Sequence, residues 1–165
     1  MTSATAYLEK IETQLGDAWL PQIYRERILK MRTRAYEFPP LPGTAAPEIQ
    51  HTLLGIELKV GRRRMLCPDL ATARYLAVFA RIGCGSVAIP YDITKVSHAA
   101  DALESSWHQM LLLADSLAAE RSSTLRARLR RLLIGKVRDE IAAGGAGKSR
   151  PEFKLSTKQN RRTSI

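Results

Sequence analysis

The sequence has few of the residues that mark several common protein classes. Its two cysteines, Cys67 and Cys84, stand 17 positions apart with no second pair nearby, which fits neither a disulfide framework nor a zinc site. Aromatic residues make up 6% of the chain, and its 10 glycines and 8 prolines are few for a β-sandwich. Unbroken apolar runs such as Met110 to Ala114 are far too short to cross a bilayer, and the N-terminus lacks the pattern of a signal peptide. These scarcities predict a small, soluble, cytoplasmic protein.

Motifs that carry catalysis are missing as well. His51, His98 and His108 form no metal-binding pair at helical spacing. No nucleophile elbow, P-loop or dinucleotide-binding fingerprint occurs, since the glycines near residues 83 and 144 lack the neighbouring residues these motifs need. We therefore expect no enzyme, no metal, no cofactor and no small-molecule substrate.

The chain does contain enough apolar residues to form a core, and its charge is distributed very unevenly along the sequence. At 45% hydrophobic, 165 residues can build one buried core, and the formal net charge is +10. Residues 1–120 hold 13 basic and 13 acidic side chains, so the whole excess lies in the last 45 residues. Such an asymmetry predicts a polyanionic partner, with nucleic acid favoured over an anionic membrane surface.

Helical periodicity dominates the sequence. Successive segments predict helices at 4–15, 17–36, 47–60, 68–83, 92–120 and 122–143. Asp17, Asp92 and either Ser122 or Ser123 are the predicted caps, and Asp69 is placed at the N-terminal dipole of its helix. The segment 83–90 is predicted to be a crossing loop. Within the longest helix a heptad pattern predicts a buried seam of Val96, Ala100, Leu103, Trp107, Met110, Ala114 and Leu117.

The predicted fold class is therefore all-α, a helical bundle of about five to six helices with a long central helix and a basic C-terminal tail. The predicted organisation is an N-terminal helical pair at 1–38, a proline-rich linker at 39–47, a helical bundle at 48–143 and a flexible basic tail at 144–165.

Three basic clusters are candidate phosphate-binding surfaces. A helical-wheel projection of the last helix places four leucines on one arc: Leu125, Leu129, Leu132 and Leu133. Four arginines lie on the opposite flank: Arg121, Arg128, Arg131 and Arg138. Arg126 and Arg130 lie nearer the apolar arc. The second cluster is Arg62, Arg63 and Arg64, predicted at a helix end. The third, on the helix predicted at 17–36, is Arg25, Lys30, Arg32 and Arg34. The alternatives are a solvated helix face and cations at a helix C-terminus.

No base-reading element accompanies these clusters. A helix-turn-helix with polar base-contacting groups is not evident, and the sheet-borne aromatic residues of RNA-recognition domains are absent too. Arginine stripes without base readers predict sequence-independent, salt-sensitive binding to the phosphate backbone.

A basic, all-α chain of this size with two helix groups and a proline-rich linker resembles the small subunit of Cascade-type CRISPR effector complexes, which serve antiviral defence. The segment from Gly61 (GRRRMLCPDLATARYL) to Asp92 (IPYD) is similar to the helical end of the large subunit in type I-D systems. The resemblance implies a non-catalytic subunit of an RNA-guided complex. Its copies would stack beside other protein subunits on a crRNA-bearing backbone and hold target DNA and the displaced strand. The rival hypothesis is a helical adaptor whose basic tail docks on an acidic protein.

Overall fold

The computed structural model describes residues 4–41 and 46–147, and within them helices and strands combine. The helices are α1 (Ala4–Leu15), a 3-10 turn (Gly16–Ala18), α2 (Leu20–Ile23) continuing as a π-helical turn (Tyr24–Ile28), α3 (Leu70–Ile82), α4 (Ile93–Leu117) and α5 (Ser123–Gly144). The strands are β1 (Thr33–Glu37), β2 (Pro47–Thr52), β3 (Gly55–Val60), β4 (Arg63–Cys67) and β5 (Ser86–Pro90). The fold is therefore mixed α and β, and the prediction of an all-α helical bundle is wrong.

The strands form two antiparallel sheets. β2, β3 and β4 make a three-stranded meander, and β1 pairs with β5 from Thr33 opposite Pro90 to Glu37 opposite Ser86. Two tyrosines bind the backbone of β5 from the helices. The Tyr24 hydroxyl accepts from the Ala88 N–H at 2.9 Å, and the Tyr75 hydroxyl donates to the Ala88 carbonyl at 2.5 Å. A two-stranded sheet has little stability on its own, so these hydrogen bonds and the apolar core beneath the sheet hold β1 and β5 in place.

Local signals correctly predicted most helix ends, but the predicted cap Asp17 lies inside the 3-10 turn, and Trp19 is the N-cap of α2. The Asp69 carboxylate accepts from the Thr72 N–H at 2.8 Å, and the carboxylate of Asp92 and the hydroxyl of Ser122 cap α4 and α5 in the same way. α3 ends at Gly83, whose φ of 90° favours glycine. The heptad seam of α4 is buried from Val96 to Ala114, whereas Leu117 is half-buried.

The helix predicted at 47–60 is instead the β2–β3 hairpin. Ile49, Leu53, Ile56 and Val60 have helical spacing, but Ile56, Leu58 and Val60 also alternate at the period of a strand. The hairpin turn carries Leu53, which the helix prediction had buried, out to full exposure, and Gly55 follows it with a φ of 125°. Arg62, Arg63 and Arg64 consequently lie in the β3–β4 turn and in β4, not at a helix end.

Two further predictions are corrected by the pairing of β1 with β5. The helix predicted at 17–36 ends at Ile28, and Arg34 lies within β1. The predicted loop at 83–90 contains β5, which buries Val87, Ala88 and Ile89. In the predicted linker, 42–45 lie outside the described residues, and the predicted tail lies outside them from Lys148 onward.

The described residues share one apolar core. α1 packs against α4 and α5, α3 packs along α4, and the meander covers α3. The largest fully buried side chains include Trp19, Tyr24, Tyr75 and Phe79, which come from helices α2 and α3 and the segments beside α2. This arrangement brings the C-terminal end of α3 and the middle of α4 against α5.

Candidate nucleic-acid interface

The final helix α5 is fixed by an apolar face that differs from the predicted one. Leu129, Leu133, Val137 and Ile141 are buried, at a regular spacing of four residues. Leu125 is half-buried and Leu132 is exposed, so the predicted leucine arc is wrong in part. Because four residues advance a helix by slightly more than one turn, this face twists along the helix and sets which arginines meet α3.

A groove opens where α5 meets the end of α3 and the middle of α4. Its volume is about 960 Å³, and four arginines line it: Arg81 from α3 and Arg130, Arg131 and Arg138 from α5. No carboxylate occurs among the described residues that line it. We call this site the arginine groove.

The walls of the arginine groove are apolar and partly aromatic. Trp107 and Leu111 of α4 and Ile134 of α5 contribute on the helical side. The extended segment 38–41 (FPPL), which follows β1, contributes Phe38 on the other side. The Phe38 N–H donates to the Gly85 carbonyl at 2.9 Å, so this segment is tied to the turn that precedes β5.

Arg138 is positioned by the end of α3. Its Nε donates to the Ile82 carbonyl at 2.9 Å, a group that the termination of α3 at Gly83 leaves available. The guanidinium lies over Gly83, where an added Cβ would meet Arg138 Nε at 3.3 Å. The positive φ favours glycine at position 83, and an added Cβ would also displace the Arg138 guanidinium slightly.

The other arginines of the groove differ in their partners. Arg130 forms a two-pronged ion pair with Asp115 of α4, at 2.9 and 3.1 Å. Arg81 and Arg131 are exposed, and their guanidinium groups have no hydrogen bond or ion pair to any described residue. These two guanidinium groups are the part of the groove that is free to bind an anion.

The groove also contains the Cys84 thiol. Burial raises the pKa of this thiol to about 12, against the opposing effect of Arg138. A thiol with that pKa stays protonated at neutral pH, so Cys84 adds neither negative charge nor an activated nucleophile to the groove.

The predicted arginine stripe of α5 is only partly brought together. Arg131 and Arg138 line the groove, but Arg128 is exposed outside it. Arg121 donates from Nε to the Tyr7 hydroxyl at 3.1 Å, on the side of α1. Sequence reasoning missed Arg81 as a site residue and assigned Arg130 to the apolar arc, because nothing local shows that the end of α3 meets α5.

The other two predicted clusters lie apart from the groove and are dispersed. Arg25 lies 3.5 Å from Glu140, and the Arg32 guanidinium lies 4.9 Å from the centre of the Tyr91 ring. Lys30 is exposed in the turn after the π-helical turn, and Arg34 is half-buried in β1. Arg62, Arg63 and Arg64 are exposed at the β3–β4 turn, where Arg64 reaches Glu57 only at 4.0 Å.

Two classes of site have no representative among the described residues. No group of three or more histidine, cysteine, aspartate and glutamate side chains is arranged to hold a metal ion within 4–41 and 46–147. No helix in these ranges has both the length and the apolar character needed to cross a membrane.

Comparisons with known proteins add no relative. Neither the family models, nor the curated proteins, nor the solved structures contain a match to this chain.

Proposed function

We propose that the protein is a non-enzymatic binder of nucleic acid that holds the phosphate backbone, without sequence preference, in the arginine groove. The observation that carries the proposal is the groove itself, which is lined by four arginines and by no carboxylate among the described residues. Membership of a larger ribonucleoprotein complex, including a CRISPR effector, stays a prediction.

Two cations outside the groove are neutralised by carboxylates, whereas others, such as Arg62 and Arg128, lack partners among the described residues but do not line the groove. Arg74 bonds to both Asp101 and Glu104 at 2.6 Å, and Lys136 lies within 3.4 Å of Glu12 and Glu140. A cation that is already paired with a carboxylate contributes little to the binding of a polyanion. Arg81 and Arg131 lack such partners among the described residues and therefore remain able to bind an anion.

The chemistry of the groove favours phosphate as the bound anion. A guanidinium presents a planar fork of N–H donors that matches two phosphate oxygens and stays charged at every physiological pH. The apolar walls beside it suit the sugars and bases of a nucleic acid better than they suit an acidic peptide, whose carboxylates need water or cations on all sides. The net charge of +10 adds long-range attraction for a polyanion.

Salt-dependent binding tests the proposal. We expect oligonucleotides of about 20 nucleotides and unrelated sequence to bind with similar affinity, measured by fluorescence anisotropy. The logarithm of the affinity should fall linearly with the logarithm of the salt concentration. The double variant Arg81→Ala/Arg131→Ala should reduce the slope by about 1.4 on a single strand, because each phosphate that is no longer neutralised accounts for about 0.7.

A control with the same change in net charge separates direct phosphate binding from general attraction. Arg126 and Arg128 are exposed on α5 and do not line the groove, so Arg126→Ala/Arg128→Ala should leave the slope close to that of the wild type. Equal effects of the two double variants would contradict the groove as the site. Absence of binding at low salt, or equally tight binding of polyglutamate, would favour the adaptor hypothesis instead.

A further inference from the structure

The arginine groove has an aromatic wall that phosphate binding alone does not need. The Phe38 ring lines the groove and is half-buried. Phe38 packs partly against the apolar core, and its ring meets Tyr36 edge to face, with ring centres 5.0 Å apart and planes at 78°. The described residues therefore provide no parallel stacking partner for this ring. We propose that Phe38 stacks on an unpaired nucleobase while the arginines hold the neighbouring phosphates, an inference that rests on the function proposed above.

The segment that carries Phe38 is held firmly enough to serve as a stacking platform. The backbone of Phe38 is bonded to Gly85, its ring packs on Tyr36 of β1, and two prolines follow it. Proline fixes φ, so the wall loses little conformational entropy when a ligand binds. A fixed aromatic ring beside unpaired arginines is the combination used by proteins that bind single strands.

Trp107 lines both the groove and a neighbouring cavity of about 260 Å³, and its polar atom has no partner among the described residues. This residue lines the groove and is 8% exposed, yet its indole N–H donates to no described residue. Among the described residues, the fully buried side-chain N or O atom that lacks a hydrogen-bond partner is Oε1 of Glu57. The indole nitrogen of Trp107 also lacks a partner but is not that atom, so it is not fully buried. This N–H is therefore an accessible donor at one of the two cavities that Trp107 lines.

The proposed stacking requires a single strand at the groove. Bases inside a duplex are stacked on their neighbours and offer no free face to Phe38. Every base has such a face, so the stacking adds affinity without sequence preference, in agreement with the absence of polar base readers around the ring.

The test compares two strands that carry the same phosphates. One is an oligothymidylate of about 20 nucleotides, and the other is an oligomer of equal length made of abasic sites. The wild type should bind the first about 5- to 150-fold more tightly, the range that stacking of one base gives. In Phe38→Leu, which keeps an apolar wall but removes the aromatic face, this difference should largely disappear while binding to the abasic strand is unchanged.

The remaining outcomes separate the two proposals. Equal affinity of the wild type for both strands would overturn the stacking inference and leave phosphate binding in the groove intact. A difference that persists in Phe38→Leu and in Phe38→Ala would overturn the assignment to Phe38. Absence of binding to either strand would overturn the proposed function and the inference together. Unchanged thermal unfolding of Phe38→Leu serves as the check on folding.

Discussion

The two flanks of α5 both carry cations, but the partners of those cations differ. On one flank, Lys136 lies 3.2 Å from Glu140 and 3.4 Å from Glu12, and Glu140 also accepts from the Trp19 indole at 2.9 Å. On the other flank, Arg131 has no side-chain partner among the described residues and Arg138 bonds to a backbone carbonyl, while Arg130 pairs with Asp115 of α4. The number of cations on the helix therefore says less about binding than their partners do.

The two tryptophans of the chain repeat this contrast. Trp19 lies beside the paired flank, is 1% exposed and gives its N–H to Glu140. Trp107 borders the groove, and its N–H has no acceptor among the described residues. A tryptophan whose polar atom is satisfied serves the core, whereas one whose polar atom is unsatisfied beside a groove is available to a ligand.

Among the predicted changes, replacing the tryptophans should lower the stability of the fold most, and the two values would sharpen this contrast. We expect Trp19→Ala to lower the free energy of unfolding by about 3–5 kcal/mol, because a large enclosed cavity remains. Trp107→Ala should fall near the lower end of that range, about 3 kcal/mol, since the groove lets water enter the space. Denaturation by urea measures both values, and a loss under about 1 kcal/mol for either variant would mean that the indole is not enclosed.

Breaking the paired flank should have an intermediate effect. Glu140→Ala removes the acceptor of the Trp19 indole and the partner of Lys136, at an expected cost of about 1–3 kcal/mol. Binding of a single strand should not weaken, because the groove lies on the other flank. A tenfold loss of affinity in Glu140→Ala would contradict the separation of the two flanks.

The same carboxylate predicts a pH dependence. Burial opposes the ionisation of Glu140, but hydrogen bonds from Trp19 and Lys136 outweigh it, and the pKa of the carboxyl is lowered. Since the folded-state pKa lies below the unfolded value of about 4.3, its contribution to stability is present above that pH. The contribution is lost as the pH falls through the folded-state pKa. The stability difference between wild type and Glu140→Ala should therefore shrink in acid and not in alkali.

The smallest effect is expected at the ion pair that holds Arg130. Asp115 is half-exposed, so Asp115→Asn should change stability by less than about 1 kcal/mol. It should, however, release Arg130 into the groove and steepen the salt slope of single-strand binding by up to about 0.7. Asp101→Asn is the matched control, because it removes the same charge while Arg74 keeps Glu104. A slope that changes equally in both variants would show only a change in net charge.

The prediction of individual elements succeeded where the signal was local. Asp69, Asp92 and Ser122 each bond to a backbone N–H two or three residues onward, so their own neighbours suffice to identify them. It failed at 47–60, because apolar residues there satisfy both the helical and the strand period. It failed at 83–90 because β5 exists through its pairing with β1, about fifty residues earlier in the chain.

The candidate site shows the same division. The charge asymmetry pointed to α5, and Arg131 and Arg138 do line the groove. The helical-wheel projection could not show that Arg121 and Arg128 lie outside the groove, because it assigned Leu132 to the buried arc. Arg81 and Phe38 join the site only through the packing of elements that are distant in sequence.

The sequence by itself determined the starts and ends of the long helices, the seam of α4 and the excess of basic residues toward the C-terminus. The tertiary structure decided which segments become strands and which arginines remain without partners. The physical reason is the range of the interactions. Caps and periodic apolar faces act within one or two turns, whereas the bond from Trp19 to Glu140 joins residues 121 positions apart and that from Arg138 to Ile82 joins residues 56 apart. Only the folded chain brings such partners together, and only there can a cation be identified as unpaired.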